Sequence, residues 1–190
     1  MKEDEIHKII AEVVSGNTHA FASLIDEYKQ MVYSLCMKMA QNIEEAEEIS
    51  QDAFVKAYKG LGKFKKRSKF STWLYQITYF TAVNHLRKRK SEVDDKYFEI
   101  DQHAEEAVPD NLELEDRKRL IEEGMKHLNP KERAVINLFY LEEMDTKEVA
   151  EITKMSVSNV KVSIHRARKK LYVIMNDLLK NELNSLLYES

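Results

Sequence analysis

A chain of 190 residues with 43% apolar and 33% charged side chains can bury a core under a heavily solvated surface, as one large domain or two small ones. With only 4 Gly and 2 Pro there are few places for sheet turns, so an all-α chain is expected; the single Cys36 excludes an internal disulfide and suits a reducing cytoplasm. No apolar run is long enough to span a bilayer and MKEDEIHKII is no secretory signal, so no membrane insertion is expected. The net charge of −3 hides four blocks: residues 1–60 hold 6 basic and 11 acidic side chains, 61–90 hold 9 and none, 91–125 hold 4 and 13, and 126–190 hold 11 and 9. Blocks of alternating sign suggest separate surfaces with separate partners, and the basic block 61–90 is a candidate nucleic-acid footprint.

In chain order, residues 4–14 form a short amphipathic helix that Ser15-Gly16-Asn17 breaks. From Thr18 to Ala40 a second helix carries the stripe Phe21, Leu24, Ile25, Tyr28, Val32, Leu35, Cys36 and Met39. Cys36 lies in line with Val32 and Met39, as a core thiol does. Asn42 caps a third helix running to about Lys59, with Ala46, Ile49, Ala53 and Ala57 inward and Glu44, Glu48, Gln51, Asp52 and Val55 on its other side. Taken alone, that acidic side reads as a solvated face; a docking surface for a basic partner is the sharper reading. Next comes the basic loop GLGKFKKRSK (60–69), with Phe64 inside it, and a fourth helix over 70–90 with Ser71 as its expected cap. Leu74 and Ile77 face a core. Trp73, Tyr75, Tyr79 and Phe80 lie on more than one side, so some of these rings are expected in solvent. Aromatics beside Lys and Arg suit a single-strand surface, where bases stack on rings and cations hold phosphates. The plainer arrangement has Trp73 and Phe80 in the core and both tyrosines on an ordinary surface.

Ser91 to Asn111 is acidic, lacks helical period and reads as a linker. Its roughly 21 residues span at most ~70 Å, about two DNA turns of ~34 Å each. A fifth helix is expected over 112–128 with Leu114, Ile121, Met125 and Leu128 inward. Asn129 caps a sixth that begins at Pro130 and has Val135, Leu138, Phe139 and Leu141 on its core side.

DTKEVAEITKMSVSNVKVSIHRARKKL (145–171) then reads as two helices and a tight turn. Asp145 with Glu148 makes a capping box, and Val149, Ala150 and Ile152 give the short helix an apolar side. Ser156 caps the longer helix, expected to reach about Leu183, in which Val160, Ile164, Ala167, Leu171, Ile174 and Leu178 form one stripe. Ser158, Lys161, Val162, His165, Arg168 and Lys169 lie opposite, flanked by Asn159 and Arg166. A surface-charged hairpin is the commoner fate of such a pair. Against it, no acidic residue occurs from Ser156 to Asn176, the outer side chains can bond bases or phosphates, and Val162 suits a thymine methyl. This is the pattern of a helix-turn-helix.

Four segments, NIEEAEEISQDAFVKAYKGLGKF (42–64), FSTWLYQITYFTAVNHLRKRK (70–90), LNPKERAVINLFYLEEMDTKEVAEI (128–152) and SVSNVKVSIHRARKKL (156–171), together resemble the bacterial sigma-70 family, in its extracytoplasmic-function (ECF) group. The resemblance covers nearly the whole chain, in order and at matching spacing. It implies two helical domains, 1–90 and 112–190, joined by a flexible acidic linker, 91–111. It implies a cytoplasmic transcription initiation factor that binds core RNA polymerase and directs it to promoters. Glu44, Glu48, Gln51, Asp52 and Val55 would dock on the clamp helices of the large polymerase subunit. Lys63, Phe64, Lys66, Arg67, Ser71, Thr72, Trp73, Tyr75, Gln76 and Tyr79 would bind and melt the promoter −10 element. Ser158, Asn159, Lys161, Val162 and His165 would read the −35 element, with Arg166, Arg168, Lys169 and Lys170 on its phosphates. An anti-sigma protein is a further partner the family suggests for these faces.

The chain departs from the family pattern at Phe80, where Asn is frequent, at Asn84, where Asp is frequent, and at Ser163, where Arg is frequent. Lys154 stands where a turn Gly is usual, so a preserved turn would hold it at positive φ. A stand-alone helix-turn-helix regulator is the alternative; it would bind duplex DNA without polymerase. Glu44, Glu45, Glu47 and Glu48 have no His or Asp at ligand spacing beside them, and there is no nucleophile elbow, phosphate loop or zinc motif. No enzyme activity, cofactor or metal is expected.

Overall fold

The computed structural model describes residues 1–90 and 114–188. Among the described residues eight α-helices follow one another: α1 Glu3–Val14, α2 Phe21–Ala40, α3 Ile43–Gly60, α4 Phe70–Lys90, α5 Leu114–Lys126, α6 Pro130–Ile136, α7 Thr146–Thr153 and α8 Val157–Tyr188. Among the described residues there is no strand, and the fold is all-α. The linker expected at 91–111 lies outside the described residues.

Local chemistry sets most helix ends. Gly16, at φ +112°, closes the turn after α1. The Asn42 side chain accepts the Glu45 backbone N–H at 2.8 Å and starts α3. Asn129 accepts from Lys131 and Glu132, and the Glu132 carboxylate answers on the Asn129 N–H, so α6 opens with a full capping box and Pro130 in its first turn. At α4 the helix begins one residue before the expected cap. Phe70 is already helical and the Trp73 N–H bonds the Lys69 carbonyl at 3.2 Å, which places Ser71 inside the first turn.

Helices α2, α3 and α4 pack on one another, with α1 closing one side. Ala46, Ala53 and Ala57 are fully buried with Ile49 along the inner face of α3, and their small size lets that helix lie close to its neighbours. In the C-terminal half, α5 and α6 pack on α8. A Cβ on Gly124 of α5 would stand 2.6 Å from Leu171 Cδ1 and 3.4 Å from Met175 Cγ, so the two side chains of α8 close over the space the glycine leaves. The inward face of α5 is Leu120 and Met125, with Leu128 buried just past the helix; Ile121 is 43% exposed, one position out of the expected register, and the side chain of Leu114 lies outside the described residues. After Ile136 the chain passes through a wider π turn, Asn137–Leu141. The extra residue in that turn rotates the face beyond it. Leu138 stays buried, whereas Leu141 is 59% exposed and off the core side the sequence suggested.

The two halves share one core. Leu24, Leu35, Met39, Leu74, Tyr75 and Tyr79 are continuous with Ala134, Val135, Leu138, Val149, Ile152, Val160 and Ile164. The contact is made by α6 against α2 and α4, and by α7 against α4. A second, smaller cluster of Met125, Leu128, Ile136 and Ala167 belongs to the C-terminal half alone.

Candidate nucleic-acid interface

The helix-turn-helix is built as the sequence implies. The Asp145 carboxylate accepts the backbone N–H groups of Lys147 (2.7 Å) and Glu148 (2.9 Å), and the Glu148 carboxylate returns a bond to the Asp145 N–H. Those backbone donors, Glu148 first, hold the Asp145 carboxyl below its ordinary pKa. Val149 and Ile152 are buried beneath α7. Lys154 ends that helix at φ +58°, ψ +26°, the left-handed conformation expected of a residue in place of a turn glycine. Ser156 Oγ then accepts the Asn159 N–H at 3.1 Å and starts α8. Val160, Ile164, Ala167 and Met175 face inward, with Leu171, Ile174 and Leu178 half-buried.

On the opposite side of α8, Ser158, Asn159, Lys161, Val162, His165, Arg166 and Arg168 are all exposed. Lys169 and Lys170 are half-buried, and Lys170 Nζ lies 3.2 Å from Glu132 Oε2. Lys170 is therefore tied to the start of α6. The outer face narrows to residues 158–168, polar and basic around an exposed Val162, on a single helix of the kind a major groove admits.

The other candidate surface is arranged differently. Lys63, Lys66 and Arg67 are exposed in the loop before α4. Phe64 is tucked beneath them, with ring centroids 5.6 Å from Phe70 and 5.3 Å from Trp73. Trp73 is half-buried; its ring lies 3.4 Å from where a Cβ on Gly60 would stand. Ser71 and Gln76 are half-buried. Thr72, Tyr75 and Tyr79 are buried at 7%, 3% and 3% exposure, while Phe80 is in solvent. This corrects the expectation for the rings: both tyrosines are core and Phe80 is surface. The physical reason is a second cover. The α4 face that carries the tyrosines packs against α6 and α7, so more of α4 is enclosed than a lone three-helix unit would enclose. Tyr75 Oη donates to Glu142 Oε2 at 2.6 Å. Burial first, and then the facing carboxylate, push the Tyr75 phenol far above its ordinary pKa.

On α3, Glu44, Glu48, Gln51, Asp52 and Val55 all face solvent, with Val55 48% exposed. Their spacing places them along one stripe opposite the buried alanines. His85 Nε2 of α4 approaches Glu48 at 4.0 Å, and Lys56 Nζ donates to Thr81 Oγ1 at 3.2 Å, so the stripe sits on a helix anchored to α4.

Residues 24–92 match the model of sigma-70 region 2, and residues 118–171 match that of sigma-70 region 4. The chain is 36% identical over 186 residues to the ECF RNA polymerase sigma factor SigW of Bacillus subtilis, covering 91% of this chain and 98% of that protein. The chain belongs to the ECF group of the sigma-70 family. It is an RNA polymerase sigma factor, a transcription initiation factor and not an enzyme, and a stand-alone regulator is not favoured. The same fold occurs in the CnrH chain of a CnrH–CnrY complex (TM-score 0.61, 24% identity, 89% of this chain and 96% of that one). It occurs also in sigma factor RpoE bound to the anti-sigma factor NepR, from Bartonella quintana (TM-score 0.59, 22% identity, 82% and 96%).

Two residues outside the expected site hold the halves together. Arg133 of α6 is 7% exposed. Its Nε and Nη2 donate to the Met39 carbonyl of α2 at 3.2 and 2.6 Å, and its Nη1 donates to the Leu128 carbonyl at 2.5 Å. Burial lowers the guanidinium pKa to about 10, which leaves it charged at neutral pH. Glu142, just past the π turn, is the second. The one local sign of the first is a permanent cation on the same short helix as the buried Val135.

Proposed function

We propose that this sigma factor docks on core RNA polymerase through Glu44, Glu48, Gln51, Asp52 and Val55, and contacts promoter DNA on two surfaces. The boundaries 1–90, 91–111 and 112–190 divide the work: polymerase and −10 element, linker, −35 element. Ser158, Asn159, Lys161, Val162 and His165 read base edges of the −35 duplex. Arg166, Arg168 and Lys169 fix the register on phosphates, with Lys170 joining them once it leaves Glu132. Lys63, Lys66 and Arg67 hold the −10 strand, and Phe64, Ser71, Trp73 and Gln76 form the surface on which its unstacked bases are trapped, with the buried Thr72, Tyr75 and Tyr79 backing it from within α4. No described helix is long and apolar enough to cross a membrane, and the cytoplasm is the proposed site of action. An anti-sigma protein is a further proposed partner, its target the exposed α3 and α8 faces.

The observation that carries this reading is the outer face of α8: exposed, free of acidic side chains, and held on a capped helix. Binding to a set of −35 duplex variants tests it. Lys161→Ala is expected to change the ranking of sequences. Equal losses on every duplex would remove Lys161 from base readout.

A further inference from the structure

We infer that the open side of α4 carries a second hold on single-stranded DNA: Phe80 stacks an unpaired base without reading it, and Arg87 and Lys56 hold the phosphates beside it. The inference rests on reading the basic loop and Trp73 as the start of the −10 strand's path.

Helical period puts Trp73, Ile77, Phe80, Asn84 and Arg87 on one line along α4, on the side away from the buried Tyr75 and Tyr79. Trp73 and Ile77 are half-buried, and Phe80, Asn84 and Arg87 are exposed. Phe80 is thus an apolar ring in water, midway along a line that begins beside the basic loop. It is braced from behind. The buried Tyr79 ring stands 5.1 Å away, centroid to centroid, at 79°. A buried ring set nearly perpendicular restrains its exposed neighbour, so little side-chain freedom is left to lose when a flat ligand lands on it.

The charge around the ring selects the ligand. Residues 61–90 hold 9 basic side chains and no acidic one. Arg87 follows Phe80 on the same line. On the other flank Lys56 of α3 donates from Nζ to Thr81 Oγ1 at 3.2 Å. Thr81 is the residue next to Phe80 and is itself buried, so Lys56 is held at the edge of the line with two donors to spare. A ring between two cations matches a base between two phosphates, whereas an apolar protein side chain would leave both cations idle. Phe80 has no donor or acceptor, so it holds one nucleotide whichever base that nucleotide carries. The spacing fixes which one. Trp73 and Phe80 are seven positions apart, ~10 Å along the axis at ~1.5 Å per residue. A stacked strand advances ~3.4 Å per nucleotide, so the base on Phe80 lies about three nucleotides from the base at Trp73.

The test is strand binding by the full chain on core polymerase, with core polymerase alone as the baseline. A short fluorescent single strand is selected from a random pool on that complex and then given an abasic site at each position in turn. Two positions about three nucleotides apart should each lose about five- to thirtyfold in affinity, the size of one base–aromatic stack. Phe80→Ala should weaken the intact strand by the same factor and abolish the penalty at one of those positions alone, while Phe80→Trp should keep both. At that position the four natural bases should bind within about threefold of one another. Arg87→Ala should weaken all these strands alike, as loss of a phosphate contact does. Phe80 is exposed, so helical circular dichroism and polymerase binding should not change. An abasic scan that Phe80→Ala leaves unaltered overturns the inference, as does a strong preference for one base at that position. Loss of polymerase binding with strand affinity intact also overturns it and makes Phe80 a protein contact. Lys66→Ala with Arg67→Ala separates the causes. If that variant loses strand affinity and Phe80→Ala does not, the −10 reading stands and the inference alone fails; if neither loses it, the −10 reading fails as well.

Discussion

Lys154→Gly should stabilise this protein. Lys154 ends α7 at φ +58°, where an L side chain crowds the backbone by ~1–2 kcal/mol. Its side chain is exposed, so little packing is lost with it. Glycine removes the crowding, but it adds conformational freedom to the unfolded chain worth about 0.4–1 kcal/mol. The difference favours the variant by about 0.5–1 kcal/mol. For a chain of this size 1 kcal/mol moves Tm by roughly 2–4 °C, so a rise of about 1–4 °C is expected in a thermal scan. Lys154→Ala keeps the Cβ and should leave Tm where it is. A fall in Tm for the glycine variant, or an equal rise for alanine, would refute the argument that the turn is strained at this residue.

Other perturbations have equally definite outcomes. Asn129→Ala removes the acceptor for two N–H groups at the start of α6 and should cost about 1 kcal/mol in denaturant unfolding. Gly124→Ala puts a methyl 2.6 Å from Leu171 Cδ1, but that is the free end of a half-buried side chain that can turn aside, and alanine gains about 1 kcal/mol of helix propensity, so the net change read in the same unfolding curves should stay within about 1 kcal/mol. Cys36 is buried and burial pushes its thiol up to about 11, so alkylation at pH 8 should track global unfolding rather than free-thiol chemistry. Tyr75 titrates far higher folded than unfolded. Its contribution is therefore complete below the ordinary phenol pKa of about 10 and is lost as pH rises beyond it. Tyr75→Phe should flatten the loss of stability above pH 10, measured by pH-dependent unfolding.

What could be read from the sequence was local. The caps Asn42, Asn129, Asp145 and Ser156 act within three residues of themselves, and all four are in place. The inner alanines of α3 follow from helical period alone. The positive φ of Lys154 was legible only through the family resemblance. The misses are matters of register or of distant contact. Ser71 stands two residues past the cap position because α4 starts at Phe70, and Leu141 turned outward because the π turn it ends shifts the helical phase. The burial of Tyr75 and Tyr79 depends on α6 and α7, helices more than fifty positions downstream, and no periodicity within α4 reports that cover. Arg133 reaches a carbonyl 94 positions away, which no local pattern contains.

The most direct test of the account is run-off transcription with purified chain, bacterial core polymerase and a promoter library. The account predicts promoter-specific transcripts that need both proteins and vanish with Gln51→Ala and Asp52→Ala, while binding of the chain to −35 duplex is unchanged. Transcripts that persist undiminished in that variant would contradict the docking face. Tight duplex binding by the chain alone, with no transcripts from any promoter, would contradict the proposed division of work between its two DNA surfaces.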